Sequence, residues 1–142
     1  MPEFIDSFKI AKLFDGTRDG TPFVTERPPF PVGPERLKFL NYLDHGAVVL
    51  RAAGRSVDRL DSSRGKTVPI TFHTDGEWVW SASIAYYLEE HDLPPEPEFL
   101  DYLRGRNFHY VAPAKERVKS AGRALESRAA RRSRGVTICR VR

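Results

Sequence analysis

Val68-Pro69-Ile70-Thr71-Phe72-His73-Thr74-Asp75-Gly76-Glu77-Trp78-Val79-Trp80 is the stretch from which an architecture can be built. Residues 68–74 are rich in β-branched and aromatic side chains, the usual content of a strand. Asp75-Gly76 then supplies a two-residue reversal, because aspartate and glycine tolerate the positive φ that such turns need. Glu77-Trp78-Val79-Trp80 returns as the second strand. In that register Phe72 faces Val79 and His73 faces Trp78. Side chains alternate, so Ile70, Phe72 and Val79 share one face, while Thr71, His73, Trp78 and Trp80 share the other. Both faces are largely apolar, and cover is expected on both.

Helical signals surround the hairpin. Downstream, Ser81 or Ser83 is suited to cap a helix over 82–92, with Ile84, Tyr87, Leu88 and His91 on one stripe. Leu93-Pro94-Pro95-Glu96-Pro97 ends it. A further helix over 96–104 carries Phe99, Leu100, Tyr102 and Leu103 and stops at Gly105, and Phe108-His109-Tyr110-Val111 reads as a short strand. Upstream, Pro34 suits the first turn of a helix over 35–44 with Leu37, Leu40 and Leu43 on one face. Gly46 is expected to end it in a left-handed conformation, and Ala47–Leu50 follows as a buried strand. Residues 53–67 read as a polar loop with a short edge strand near Val57. Phe39-Leu40-Asn41-Tyr42-Leu43 recurs as Phe99-Leu100-Asp101-Tyr102-Leu103. Five matching positions read as two similar amphipathic helices rather than a duplicated unit.

The fold class expected from these elements is α+β: a small, mainly antiparallel sheet with a central β-hairpin, packed by three to four helices. Three segments make up one domain. Residues 1–33 are an N-terminal segment leading into a Pro-rich arm that begins at Arg27. Residues 34–113 are the α+β core. Residues 114–142 are a basic helix over 114–133, with a thin apolar stripe at Val118, Ala121, Leu125 and Ala129, followed by an alternating closing strand at Val136–Val141. A chain of 142 residues is long enough to bury a substantial core.

Composition excludes several classes. Cys139 is the only cysteine, which rules out an intrachain disulfide framework and a multi-cysteine zinc site. No apolar run approaches the ~20 residues of a membrane helix. Met1-Pro2-Glu3-Phe4 lacks the basic and then apolar opening of a signal peptide. A cytoplasmic protein without a membrane partner is expected. The net charge of +4 hides an asymmetry. Residues 1–114 hold 13 Lys/Arg against 17 Asp/Glu, a balance of −4, and residues 115–142 hold 10 against 2, a balance of +8. The basic character belongs to the tail, where Arg123, Arg128, Arg131, Arg132 and Arg134 could meet phosphates without base-specific reading.

No spacing selects a catalytic set. GxSxG, HExxH and a phosphate-binding glycine loop are absent. His73, Asp75 and Glu77 are alternate residues of metal-ligating type, but a turn at Asp75 separates them, so neither metal nor cofactor is expected. Cys139 reads as a structural thiol. The chain therefore reads as non-enzymatic. Trp78, Trp80, Tyr86 and Tyr87 make an aromatic concentration flanked by the acidic residues Glu77, Glu89 and Glu90. Aromatic residues of this kind are enriched in binding hot spots, and the acidic rim suits a basic protein partner.

Thr74-Asp75-Gly76-Glu77-Trp78-Val79-Trp80, with Ala85-Tyr86-Tyr87-Leu88 and Leu93-Pro94-Pro95, resembles small actinobacterial proteins of uncharacterised function that carry a TDGxWxW motif. In size and style these are similar to immunity proteins of polymorphic toxin systems. The resemblance implies a cytoplasmic inhibitor that binds a toxin or effector by surface complementarity, and it carries no catalytic residue. The predicted contact surface is Asp75, Glu77, Trp78, Trp80, Tyr86, Glu89 and Glu90. The alternative is a nucleic-acid-associated protein using the basic C-terminal helix.

Overall fold

The hairpin forms, but two residues out of the expected register. In the computed structural model, which describes residues 3–50 and 54–141 with side chains through residue 131, Phe72 pairs with Ser81, His73 with Trp80 and Thr74 with Val79. The reversal is Gly76-Glu77, because the Asp75 carboxylate accepts the amides of Glu77 and Trp78 and so sits before the turn. A shift by two preserves side-chain parity, so the expected division of faces stands.

The elements in chain order are β1 (Glu3–Ile5), β2 (Phe8–Ile10), β3 (Gly16–Arg18), β4 (Thr21–Phe23), α1 (Pro34–His45), β5 (Ala47–Leu50), β6 (Arg55–Val57), β7 (Lys66–Pro69), β8 (Phe72–Thr74), β9 (Trp78–Ser81), α2 (Ser83–His91), α3 (Pro97–Gly105) and α4 (Lys115–Val141). The fold is α+β. A five-stranded sheet runs β1-β2-β9-β8-β5, with β3–β4 and β6–β7 as separate two-stranded ribbons. Only β2 and β9 pair in parallel within the five-stranded sheet. The sheet is therefore mainly antiparallel.

Each face of this sheet carries its own core. Trp78 and Trp80 pack with Phe39, Tyr42 and Leu43 of α1, Ile84 and Leu88 of α2, and Phe99, Leu100 and Leu103 of α3. Val79 packs on the opposite face with Ile5, Phe8 and Ile10 beneath Ala121, Ala124 and Leu125 of α4. The Pro-rich arm is extended and sends Phe30 into the first core. Arg36, 8% exposed, holds it there by donating to the Phe30 carbonyl and to Asp92 Oδ1 at 2.7 Å.

Several expectations are corrected. Leu37 is 62% exposed, and the buried residues of α1 are Arg36, Phe39, Tyr42 and Leu43. Gly46 has φ −54°, not a left-handed value. Its role is room, since a Cβ there would meet Trp80 and His73. β5 is a half-exposed edge strand rather than a buried one. Val68–Pro69 belongs to the β6–β7 ribbon, not to the hairpin. Residues 108–111 form no strand, because Asn107 and Phe108 turn through φ +56° and +55°. The closing strand at Val136–Val141 is absent, and the backbone of α4 stays helical to Val141. Cys139 and the side chains of Arg132 and Arg134 lie outside the described side chains.

The recurrent pentapeptides α1 Phe39–Leu43 and α3 Phe99–Leu103 meet across the first core. Phe39 and Phe99 pack edge to face at 6.1 Å, and Tyr42 and Tyr102 converge on one carboxylate oxygen, Asp75 Oδ2.

Candidate functional site

Asp75 is 7% exposed and saturated by the fold. Oδ1 accepts the Glu77 and Trp78 amides, both at 2.9 Å. Oδ2 accepts the Tyr42 hydroxyl at 2.5 Å and the Tyr102 hydroxyl at 2.8 Å. Arg106 Nη1 then donates to the Tyr102 oxygen at 2.6 Å, bringing a cation within one side chain of the carboxylate. Burial, followed by the bond to Asp75, drives both tyrosine hydroxyls far above the ordinary phenol range. Asp75 thus ties the turn to α1 and α3 and has no oxygen left for a partner.

The two indoles are not displayed. Trp78 is 2% exposed and Trp80 0%. Trp80 Nε1 donates to the Leu43 carbonyl at 3.3 Å. This corrects the predicted contact surface: Asp75, Trp78 and Trp80 belong to the core. The remaining members do not form one patch. Glu77 is exposed on the turn, where the neighbouring Gly76 carbonyl accepts Arg117 Nε of α4 at 2.7 Å.

On α2, at 100° per residue, Tyr86 and Glu90 share one side and Ala82, Ala85 and Glu89 another. The first side meets the β6–β7 region. Glu90 pairs with Arg64 at 2.8 Å. The Tyr86 hydroxyl donates to Asp58 Oδ2 at 2.7 Å, and the same oxygen accepts His91 Nε2 at 2.6 Å. Asp58 is fully buried. Burial acts to raise its pKa, but hydrogen bonds from His91, Tyr86 and the amides of Leu60 and Asp61 outweigh it and hold the carboxyl at about 2. Sequence reasoning missed this network, because positions 58, 86 and 91 share no spacing that marks them. Among the described residues the hydrogen bonds of His91 run to Asp58 alone, so the pair orients an imidazole without an attached nucleophile.

The other side of α2 faces α1 across a cleft of about 250 Å³. Asn41 and Asp44 form one wall and Ala85 and Glu89 the other, with His73 and Trp80 beneath. The His73 and Trp80 rings stack with centroids 6.3 Å apart and planes 14° from parallel. His73 Nδ1 donates to the Gly46 carbonyl at 3.0 Å, which fixes the orientation of the ring. Asp44 and Glu89 are exposed, and neither has a hydrogen bond or an ion pair among the described residues. The other carboxylates of these two helices are engaged: Glu35 pairs with Arg104 and Glu90 with Arg64. Glu89 was visible in the sequence as an acidic candidate, whereas Asp44 becomes a candidate only once α1 and α2 are set side by side.

The basic candidates divide in the same way. Arg128 is engaged by Glu3 at 2.9 Å. Arg123 is exposed and reaches Ser120 Oγ at 3.1 Å, and Arg131 is exposed.

No family model matches this chain, nor does any curated protein or solved structure. Among the described residues no group of three His, Cys, Asp or Glu side chains could hold a metal ion, and no helix is long and apolar enough to cross a membrane.

Proposed function

We propose that the protein is a non-enzymatic binding module, immunity- or inhibitor-like, that docks a basic protein partner through the acidic face shared by α1 and α2. One observation carries the reading: Asp44 and Glu89 line a common cleft with no countercharge among the described residues, while their neighbours Glu35 and Glu90 are neutralised within the fold. Unpaired carboxylates of this kind steer association with a cationic partner more than they stabilise the fold. The acidic balance of residues 1–114 adds to the same field. Cytoplasmic inhibition of a toxin or effector is the setting that fits such a module.

The test is retention of proteins from host extract on the immobilised full chain, compared with a variant carrying Asp44→Lys and Glu89→Lys. A basic protein retained by the wild type and released by the double reversal is the expected result. Equal retention by both chains, or retention of acidic proteins, overturns the reading. The alternative of nucleic acid held by α4 rests on exposed Arg123 and Arg131. It would show as nucleic acid retained by both chains and lost steeply as salt rises.

A further inference from the structure

We infer that the α1–α2 cleft is the seat of a single arginine side chain presented by the partner protein, the guanidinium lying between Asp44 and Glu89. The inference rests on the docking reading above and adds the chemistry of its central contact.

Size points first to a side chain. At about 250 Å³ the cleft falls below the range of roughly 300–1,000 Å³ typical of pockets for whole small ligands. Charge then selects a cation, because two carboxylates with no partner among the described residues stand on opposite walls and would repel phosphate or carboxylate ligands. Acceptor count selects arginine over lysine. The cleft offers the four carboxylate oxygens of Asp44 and Glu89 from two walls, with the Asn41 side chain also in its lining. A guanidinium has five donors in a planar fork, whereas an ammonium presents three from one point. The floor is suitable too: Ala85 and the half-buried His73 ring, backed from below by the buried Trp80 on which it stacks, give the aliphatic stem an apolar base. The floor is rigid, since Trp80 is fixed by its bond to Leu43 and by Tyr42 and Phe99. Little ordering is then needed on binding.

The test uses the full chain, labelled with nitrogen-15, titrated at low salt with N-acetyl-arginine amide. N-acetyl-citrulline amide, which keeps the shape without the charge, and N-acetyl-lysine amide serve as comparisons. The expected result is saturable shifts confined to the amides of Asn41, Asp44, Ala85 and Glu89 and to the Trp80 indole, weaker shifts with the lysine probe and none with citrulline. Glu89→Gln and Asp44→Asn should each weaken arginine binding about 1.5- to fivefold, the range of one exposed ion pair. Glu90→Gln, whose parent already pairs with Arg64, should leave it unchanged. Equal shifts from citrulline, shifts scattered over Glu77 and the other acids, or unchanged affinity in both cleft variants overturn the assignment. Concentration-dependent self-association through the cleft does so as well, because it would make a second copy the occupant. If the probe misses the cleft while the double reversal still releases a basic protein, the arginine seat fails and the docking reading stands.

Discussion

Gly46→Ala asks whether the glycine after α1 is there for its backbone or for its lack of a side chain. Gly46 has φ −54° and ψ 139°, which alanine adopts freely. On backbone grounds alone the change would stabilise the protein by about 0.4–1 kcal/mol, through lost freedom in the unfolded chain. The surroundings dictate the opposite. A Cβ at Gly46 would lie 2.4 Å from Cζ2 and 3.0 Å from Cη2 of Trp80, and 2.9 Å from Cβ of His73. Carbon atoms attract at about 3.5–4.0 Å, so the shortest of these contacts falls about 1 Å inside the repulsive wall. Trp80 has little room to retreat: it is 0% exposed and held between Tyr42, Phe99 and His73 at ring distances of 6.0, 5.6 and 6.3 Å. Overpacking of a filled core costs about 1–3 kcal/mol. Set against the backbone gain, the net expectation is a loss of about 1–2 kcal/mol, or roughly 3–7 °C in Tm at this chain length. Thermal unfolding followed by far-ultraviolet circular dichroism reads it directly. Gly105→Ala is the matched control, because nothing lies within 4 Å of the Cβ it would add; it should be neutral or stabilising. Gly46→Asn sharpens the test. Asparagine would be tolerated at a left-handed cap but is larger still, so it should cost at least as much as alanine. A Gly46→Ala protein as stable as the wild type, or an asparagine variant milder than the alanine one, refutes the steric account.

Asp75→Asn should cost about 2 kcal/mol, because an amide nitrogen in place of Oδ2 cannot accept the two tyrosine hydroxyls. Urea midpoints measure it, and adding Tyr102→Phe to the same chain should recover part of the loss through coupling. Asp58 works the other way with pH. Its folded pKa of about 2 lies below the model-compound value of 3.8, so its contribution is complete above about pH 4 and is lost as pH falls toward 2. Asp58→Asn should therefore flatten that part of the acid-unfolding curve, and an unchanged curve would count against the His91–Tyr86 network. Glu96 has its pKa raised, chiefly by burial, while its Oε1 accepts the Lys12 amide at 2.8 Å. Its folded form favours the proton, so stability is fullest below the ordinary pKa and declines as pH rises through the raised one. Glu96→Gln keeps an acceptor without the buried charge, and at pH 8 it should match or exceed the wild type in urea, the difference closing toward pH 4.

What the sequence disclosed depended on how local the cause was. The two faces of the hairpin were legible because alternation survives any even shift. The register was not, because Asp75-Gly76 can itself form the turn, and the reversal moved only when the Asp75 carboxylate bound two amides beyond it. α2 and α3 were legible from their apolar spacing and flanking prolines. In α1 the leucine pattern misled: Leu37 points outward, while Arg36 is buried to bind the Phe30 carbonyl and Asp92. β1 and β2 are three residues each, and β2 finds its place by parallel pairing with a strand some seventy positions later, which no local pattern reports. The same limit explains the site. Glu89 could be read as an exposed acid, but its companion Asp44 stands across a cleft that exists only after two helices pack. The matching pentapeptides could be seen, but not that their tyrosines share one oxygen.

The placement of α4 over the second face bears on biosynthesis. Ile5, Phe8, Ile10 and Val79 rely on Ala121, Ala124 and Leu125 for their roof, and that roof is translated after every strand it covers. At typical elongation speeds the ribosome needs roughly a few seconds to travel from Val79 to Leu125. Throughout that interval the nascent chain leaves those apolar side chains without their roof, and apolar surface exposed in this way invites contact with other unfinished chains.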